Sequence, residues 1–328
     1  MKFLIIRFSS IGDIVLTTPV ISAIQQKFPN AQIHFLTKKK FSEVLIHHPK
    51  ITKIWEYEKN LQNIIQALKK QDFDYVIDLH NSLRSKWVTF QLQKKTLTFQ
   101  KENWKKWKMV YLKSKIPIAH VVDRYLETLK NLDISPSKPL KLEYYEGKEA
   151  ENEASHILNQ YGIEEPFLAI VLGATHFTKK WLKEYFVDFI NELHQTVVLV
   201  GGKTEIEESQ WIENQIINKK KCLNLCGKTT LNVSAAIIKK SEWVLSHDTG
   251  LMHIACAYQK EMIVLWGNTC PELGFSPYQN PNAQNISLDL DCKPCSKLGL
   301  SRCPKGHFSC MKNITPSMVL KKFLARKD

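Results

Sequence analysis

Four stretches of this chain each follow an apolar run and hold side chains suited to moving charge. They are Arg7-Phe8-Ser9-Ser10-Ile11-Gly12-Asp13, Gly173-Ala174-Thr175-His176-Phe177-Thr178-Lys179-Lys180-Trp181, Gly201-Gly202-Lys203-Thr204-Glu205 and Ser246-His247-Asp248-Thr249-Gly250-Leu251-Met252-His253. In the last, Trp243-Val244-Leu245 leads into an Asp-Thr-Gly turn and then small and apolar residues, the order of strand, turn and helix. Such a turn aims a carboxylate, a hydroxyl and several helix N-terminal N–H groups at one point, which suits a phosphate-bearing ligand. The plainer reading is an ordinary helix start capped by Asp or Thr. Asp13 has two readings as well. A carboxylate in the first turn of a helix is favoured by the macrodipole without any function. At the end of the first strand it is also placed to take a proton from a substrate hydroxyl, and Gly12 lets backbone approach closely. Lys179 and Lys180 are either solvated lysines at a helix entry or cations that neutralise a departing diphosphate. Glu205 is either a helix acid or an acceptor for ribose hydroxyls. No G-x-G-x-x-G follows the first strand, which argues against a dinucleotide redox cofactor.

These residues need strands and helices to converge, and the chain supplies them in alternation. Phe3 to Arg7 reads as a buried strand, Asp13 to Phe28 as a helix with Pro19 inside it, and Gln32 to Leu36 as a second strand. Ile51 to Trp55 and Tyr75 to Leu79 read as further strands, with a helix from Asn60 to Lys70 between them. From Leu132 to Pro166 the composition shifts to Ser135-Pro136-Ser137-Lys138-Pro139, then an isolated strand and a polar helix from Lys148 to Tyr161, the marks of a domain boundary. The alternation restarts with strands at Phe167–Leu172, Thr196–Val200, Asn224–Cys226, Trp243–Leu245 and Met262–Trp266. Helices are expected over Leu182–Leu193, Glu205–Ile217 and Asn232–Lys239. The expected class is therefore α/β, with two doubly wound domains of parallel strands whose carboxyl ends face a central cleft.

A chain of 328 residues suits two such domains, and 44% apolar with 24% charged residues describes a folded globular protein. Lys and Arg number 46 against 32 Asp and Glu, a net charge of +14. That excess fits nucleic acid, an anionic membrane face or a phosphorylated substrate, or else a lysine-rich solvated surface. Only Phe3-Leu4-Ile5-Ile6 separates Lys2 from Arg7, so no secretory h-region is read, and no run approaches a membrane span; the cytoplasm is the expected compartment. Eight cysteines there do not suggest a disulfide framework. Cys292, Cys295, Cys303 and Cys310 have spacing compatible with a tetrahedral structural zinc, with His307 as a substitute ligand; free thiols in a loop-rich subdomain are the competing reading.

In order along nearly the whole chain, the motifs resemble those of the bacterial family 9 glycosyltransferases, the heptosyltransferases of lipopolysaccharide core synthesis. The resemblance rests on Arg7 to Val15 with Thr18-Pro19, Asp78-Leu79-His80-Asn81-Ser82-Leu83-Arg84-Ser85 and His120 to Tyr125. Gly173-Ala174, Lys179-Lys180-Trp181, Gly201-Gly202 and Ser246 to His253 complete it. It implies a GT-B fold: an acceptor-binding Rossmann-like domain over 1–150 and a nucleotide-sugar domain over 151–312. A last helix within 313–328 is expected to pack back on the first domain. It implies inverting transfer of a heptose from ADP-heptose to the lipid A–Kdo inner core, with no cofactor needed for catalysis. Asp13 is then the general base and Lys179 the stabiliser of the leaving diphosphate. Thr175, Lys179, Glu205, Asp248, Thr249, Gly250, Met252 and His253 fall at the donor, and Ser10, Gly12 and Arg84 at the acceptor. His80-Asn81 departs from the family's more usual Gln-Gly, and His176-Phe177 interrupts its hydroxyl-rich stretch.

Three further features bear on this reading. Asp72-Phe73-Asp74 and Asp289-Leu290-Asp291 match a metal-carrying pattern of other sugar transferases but lie away from the donor motifs and read as loop acids. Trp104 to Lys113 interleaves aromatics with lysines. Its aromatics either pack inward or sit on the anionic cytoplasmic membrane face, where a lipid-linked acceptor would meet a peripheral enzyme. The same pattern suits single-stranded nucleic acid, but a nucleic-acid-binding protein leaves the strand-end residues and Asp13 unexplained, so nucleic acid is not the expected partner. Another nucleotide sugar is the alternative within the enzyme class.

Overall fold

The computed structural model describes residues 1–136, 138–163 and 166–325. Ser137, Glu164 and Glu165 of the boundary segment and the last three residues of the expected final helix lie outside the described residues. The chain opens with β1 (Lys2–Ile6), α1 (Ile11–Val15), α2 (Thr18–Lys27), β2 (Gln32–Lys38) and β3 (Lys53–Tyr57). It continues through α3 (Leu61–Lys69), β4 (Tyr75–Asp78), α4 (Leu83–Leu92) and β5 (Lys95–Thr98). Next come α5 (Asn103–Tyr111), α6 (Val121–Glu127), α7 (Lys148–Gln160), β6 (Phe167–Val171), α8 (Lys183–Glu192) and β7 (Thr196–Val200). The remainder is α9 (Ile206–Gln215), β8 (Cys222–Asn224), α10 (Leu231–Lys240), β9 (Trp243–His247), α11 (Gly250–Ala257), β10 (Glu261–Trp266), β11 (Ala283–Ser287), α12 (Ser309–Lys312) and α13 (Pro316–Leu324).

Backbone packing divides the chain into two compact units, Met1–Glu102 with Ala119–Tyr145, and Asn103–Ile118 with Glu146–Asp328. The first holds a parallel sheet in the order β3-β2-β1-β4-β5. Phe3 to Ile6 of β1 are fully buried, as a central strand covered on both faces requires. The second holds a parallel sheet in the order β11-β10-β9-β6-β7-β8. Counted within each unit, the strands run 3-2-1-4-5 and 3-2-1-4-5-6, the Rossmann arrangement. Its strand order reverses between the first and fourth strands, and the loops there are the natural ligand site. Those loops are the motif-bearing ones in both units.

The elements depart from the expected ones in several places. The helix foreseen from Asp13 to Phe28 is two, α1 and α2, because Pro19 lacks an N–H and sits in the first turn of its own helix. The isolated strand before Lys148 forms no ladder among the described residues. Instead Glu143 N–H donates to Thr18 Oγ1 at 2.9 Å, while its carboxylate accepts from Lys50 Nζ and Ser22 Oγ, both at 2.6 Å. Strands β5 and β11, polar and short, were not foreseen. Helix α13 buries Val319 and Phe323 in the core of the second unit, where Phe323 meets Trp243 edge-on at 5.1 Å.

Candidate active site

In the first unit, β1 delivers Arg7-Phe8-Ser9 and then α1, with Ser10 as the cap and Asp13 in the opening turn. Asp13 reaches back to its cap: Ser10 N–H and Oγ–H donate to Oδ2 at 3.1 and 2.8 Å. Arg7 Nη2 pairs with Asp13 Oδ1 at 2.7 Å. The guanidinium is itself fixed, donating from Nε to Ser9 O at 2.8 Å and from Nη1 to Leu79 O at 2.6 Å. Burial pushes the Asp13 carboxyl up, but the Arg7 charge and the Ser10 hydrogen bonds outweigh it and leave it below the usual carboxylate value. Asp13 is thus an ionised carboxylate with about a quarter of its side chain open to solvent.

The β4 loop closes on the same spot. Asp78 Oδ1 accepts from the N–H groups of His80 and Asn81 at 2.9 and 2.8 Å, which turns the chain so that Asn81 adopts φ 47°. The His80 ring tilts against Phe8 at 4.9 Å, and burial with the nearby Arg7 charge holds it down to about 4, so it is neutral. Lys101, which follows β5, is also drawn in: burial and Arg7 lower its pKa, while Asp78 and Asp13 pull the other way. The buried Tyr125 ring lies under the Arg7 guanidinium at 5.8 Å. Of the expected residues, Ser10, Gly12 and Asp13 therefore share one turn. Arg84 sits in the first turn of α4 beside Tyr57, whose hydroxyl burial raises and Arg84 partly lowers. Arg7, His80 and Lys101 were not assigned roles from sequence, although Arg7 and His80 stood inside quoted motifs.

In the second unit the β6 and β9 loops meet. Lys179 Nζ pairs with Asp248 Oδ2 at 2.6 Å, and Thr269 Oγ1 donates to that same oxygen at 3.1 Å. Thr249 caps α11, which begins at Gly250, so the first-turn N–H groups open beside this pair. Glu205 is clasped rather than free. It accepts from Gly202 N–H at 3.0 Å and Thr204 Oγ1 at 2.9 Å, and Lys180 Nζ bridges it to Glu208 at 3.1 and 3.0 Å. A Cβ at Gly173 would stand 3.1 Å from Glu205 Oε2, and one at Gly201 would stand 3.1 Å from Glu205 Cβ. Those glycines therefore let the acid lie flat against two strand ends. Lys180, which is not among the expected site residues, pairs with Glu205 and Glu208, whereas Lys179 pairs with Asp248. Thr175 is exposed, whereas Met252 and His253 are buried.

Two supports hold this loop. Trp181 N–H donates to His247 Nε2 at 2.9 Å, and burial pushes His247 down to about 3, keeping it neutral. Thr178 is buried and exchanges hydrogen bonds with Leu300: its Oγ1 donates to Leu300 O at 3.0 Å and accepts from Leu300 N–H at 2.8 Å.

The cysteines do not assemble the donor set their spacing allows. Among the described residues no three His, Cys, Asp or Glu side chains are arranged to hold a metal ion. Cys292 Sγ lies 3.8 Å from His307 Nε2, Cys295 donates to Cys292 O at 3.0 Å, and Cys310 is buried in the apolar core. Burial, with Cys292 beside it, pushes the Cys295 thiol up to about 11, so it stays protonated. The two Asp-x-Asp acids are ordinary: Asp72 pairs with Lys94 at 2.6 Å, Asp74 Oδ2 accepts from Lys2 N–H at 2.7 Å, and Asp289 and Asp291 are exposed.

The model of glycosyltransferase family 9 (heptosyltransferase) matches residues 61–303 of this chain. The chain belongs to that family. It is 27% identical to lipooligosaccharide heptosyltransferase 2 of Campylobacter jejuni over 98% of its own length and 97% of the relative's. A family 9 glycosyltransferase from Veillonella parvula superposes with a TM-score of 0.81 at 20% identity, covering 98% and 95% of the two chains. The E. coli heptosyltransferase WaaC in complex with ADP-2-deoxy-2-fluoro heptose superposes with a TM-score of 0.71 at 19% identity over the full length of both. The fold of this glycosyltransferase is accordingly GT-B, built from its two Rossmann-like units.

Proposed function

We propose that this family 9 member transfers a heptose from ADP-heptose to the inner core of lipopolysaccharide, a lipid A–Kdo acceptor, by a single inverting displacement. The observation that carries the reading is the pair of switch-point clusters: an ionised carboxylate at β1 and β4, and a cation beside a helix start at β6 and β9. Asp13 takes the proton from the acceptor hydroxyl as that oxygen attacks the anomeric carbon. The bond from that carbon to the diphosphate breaks, and Lys179 with the first-turn N–H groups at Thr249 and Gly250 receives the charge that develops on the leaving ADP. Asp248 and Thr269 keep Lys179 aimed. Glu205 accepts from the ribose, Thr175 sits at the mouth of the donor site, and Met252 and His253 pack beneath it. Arg84, with Ser10 and Gly12, meets an acceptor whose acid sugar suits the cations Arg7 and Lys101 nearby.

The chemistry asks for no metal or cofactor, since proton removal and charge stabilisation are both supplied by side chains. Among the described residues no helix is long and apolar enough to cross a membrane. We read the enzyme as peripheral on the cytoplasmic membrane face. This is supported by α5, which buries Lys106, Met109 and Val110 and turns Trp104, Trp107 and Tyr111 outward beside Lys105 and Lys108. The test is ADP release from ADP-heptose with and without lipid A–Kdo acceptor. Acceptor-dependent release that collapses in Asp13→Asn supports the reading; no release with any acceptor overturns it.

A further inference from the structure

Helix α4 carries apolar residues on two opposite faces. Ser85, Val88 and Leu92 are buried, as a helix lying on a sheet requires. Leu83, Trp87 and Phe90 lie on the other side, 88%, 48% and 67% exposed, with the two rings stacked at 6.0 Å. At 3.6 residues per turn these three fall within roughly 60° of one another and roughly opposite the buried stripe, where a surface helix ordinarily carries polar groups. The charges around the stripe are of one sign. Arg84 and Lys86 are exposed on either side of it, α4 contains no acid, and Lys69 Nζ is tied to its flank through Gln91 Oε1 at 3.0 Å. Stacked aromatics ringed by cations match the headgroup level of an anionic bilayer, where rings straddle apolar and wet regions and lysines meet phosphates.

We propose that this face of α4 is a membrane-docking surface for anionic phospholipid. The proposal rests on the lipid-linked acceptor of the function above and adds a second contact, in the acceptor-side unit, to the one carried by α5. Its place is informative: α4 starts at the carboxyl edge of its sheet, the edge that also holds Asp13, so the stripe leads away from the base over roughly 10 Å of helix.

The experiment is co-sedimentation of the full-length protein with vesicles of phosphatidylethanolamine and phosphatidylglycerol, against phosphatidylcholine vesicles, with thermal melting to confirm folding. The native protein binds the anionic vesicles, and Trp87→Ser with Phe90→Ser lowers the partition about tenfold or more while Lys86→Gln lowers it less. Transfer to a delipidated, Kdo-containing acceptor in solution is unchanged in these variants. Equal vesicle binding by native and double-variant protein overturns the proposal. So does a native dimer in solution that the double variant converts to a monomer without loss of vesicle binding, which makes the face an interface between copies. Failure of the native enzyme to use the soluble acceptor speaks against the function above and leaves the vesicle result to decide this surface.

Discussion

Asp13 shows how a carboxylate can be kept charged by groups that oppose the effect of its burial. Left alone in its turn it would be pushed toward the neutral acid; Arg7 and Ser10 reverse that and hold it charged. The sign follows: the charged form, and whatever stability it contributes, is present above the ordinary carboxylate value of 3.8 and is lost as pH falls through the lowered one. The acid limb of the kcat/KM profile is therefore expected below 3.8 in the native enzyme, and Arg7→Met is expected to move it upward. A pH profile of both proteins checks this; coincident limbs would remove Arg7 from the mechanism. Asp13→Asn is expected to cut kcat by about 10²–10⁴ and to lower the melting temperature, because the part-buried Arg7 guanidinium loses its carboxylate. Lys179→Gln should cost about 10²–10³ in kcat, because the developing diphosphate charge then loses its cation. Lys180→Gln is expected to act differently, loosening Glu205 and raising KM for the donor more than it lowers kcat, as steady-state kinetics would show.

The loops that carry these side chains depend on elements well outside the motifs. Asn268 N–H donates to Thr178 O at 3.1 Å, and Gly267 passes so close that a Cβ there would collide with that carbonyl. Thr178 precedes Lys179 directly, so Gly267→Ala is expected to destabilise the protein by about 1–3 kcal/mol and to lower kcat by displacing the lysine. Denaturant unfolding and initial rates measure the two effects; a stable, fully active variant would show that the loop adapts. Along α5, the aromatics point outward and Met109 and Val110 inward. An interleaved sequence could not decide that, because Trp-Lys-Lys-Trp at helical spacing supplies an apolar candidate for either side.

Across the whole molecule, histidines set the response to acid. Burial holds His34, His48 and His80 down to about 4 and His247 to about 3, against an ordinary 6.5. The unfolded chain therefore binds more protons than the native one across this window, so stability rises with pH. Native stability is expected to fall progressively as pH drops from 6.5 toward 4, seen as a declining melting temperature. His247→Gln should weaken that slope while costing stability at neutral pH, since Nε2 then no longer accepts from Trp181. A flat profile through this range would contradict the burial of these rings.

Continuous apolar strands of β-branched and leucine residues, spaced by helices, determined the parallel two-unit fold, because strands buried on both faces have no polar alternative. The strand-end motifs likewise fixed where Asp13, Lys179, Glu205 and Asp248 stand, since parallel strands put every such loop at one edge. Short polar strands such as β5 and β11 left no comparable signal; they exist because a neighbouring edge offers hydrogen bonds. Only the tertiary structure decided the partners. Arg7 on Asp13, Lys180 on Glu205, Thr269 on Asp248 and His247 on Trp181 span up to 66 residues of chain. The arrangement of the four cysteines, in which no three ligand side chains among the described residues are placed to hold a metal ion, was decided in the same way. Spacing constrains what is local, whereas a charge or thiol far along the chain is placed by the packing of the core around it.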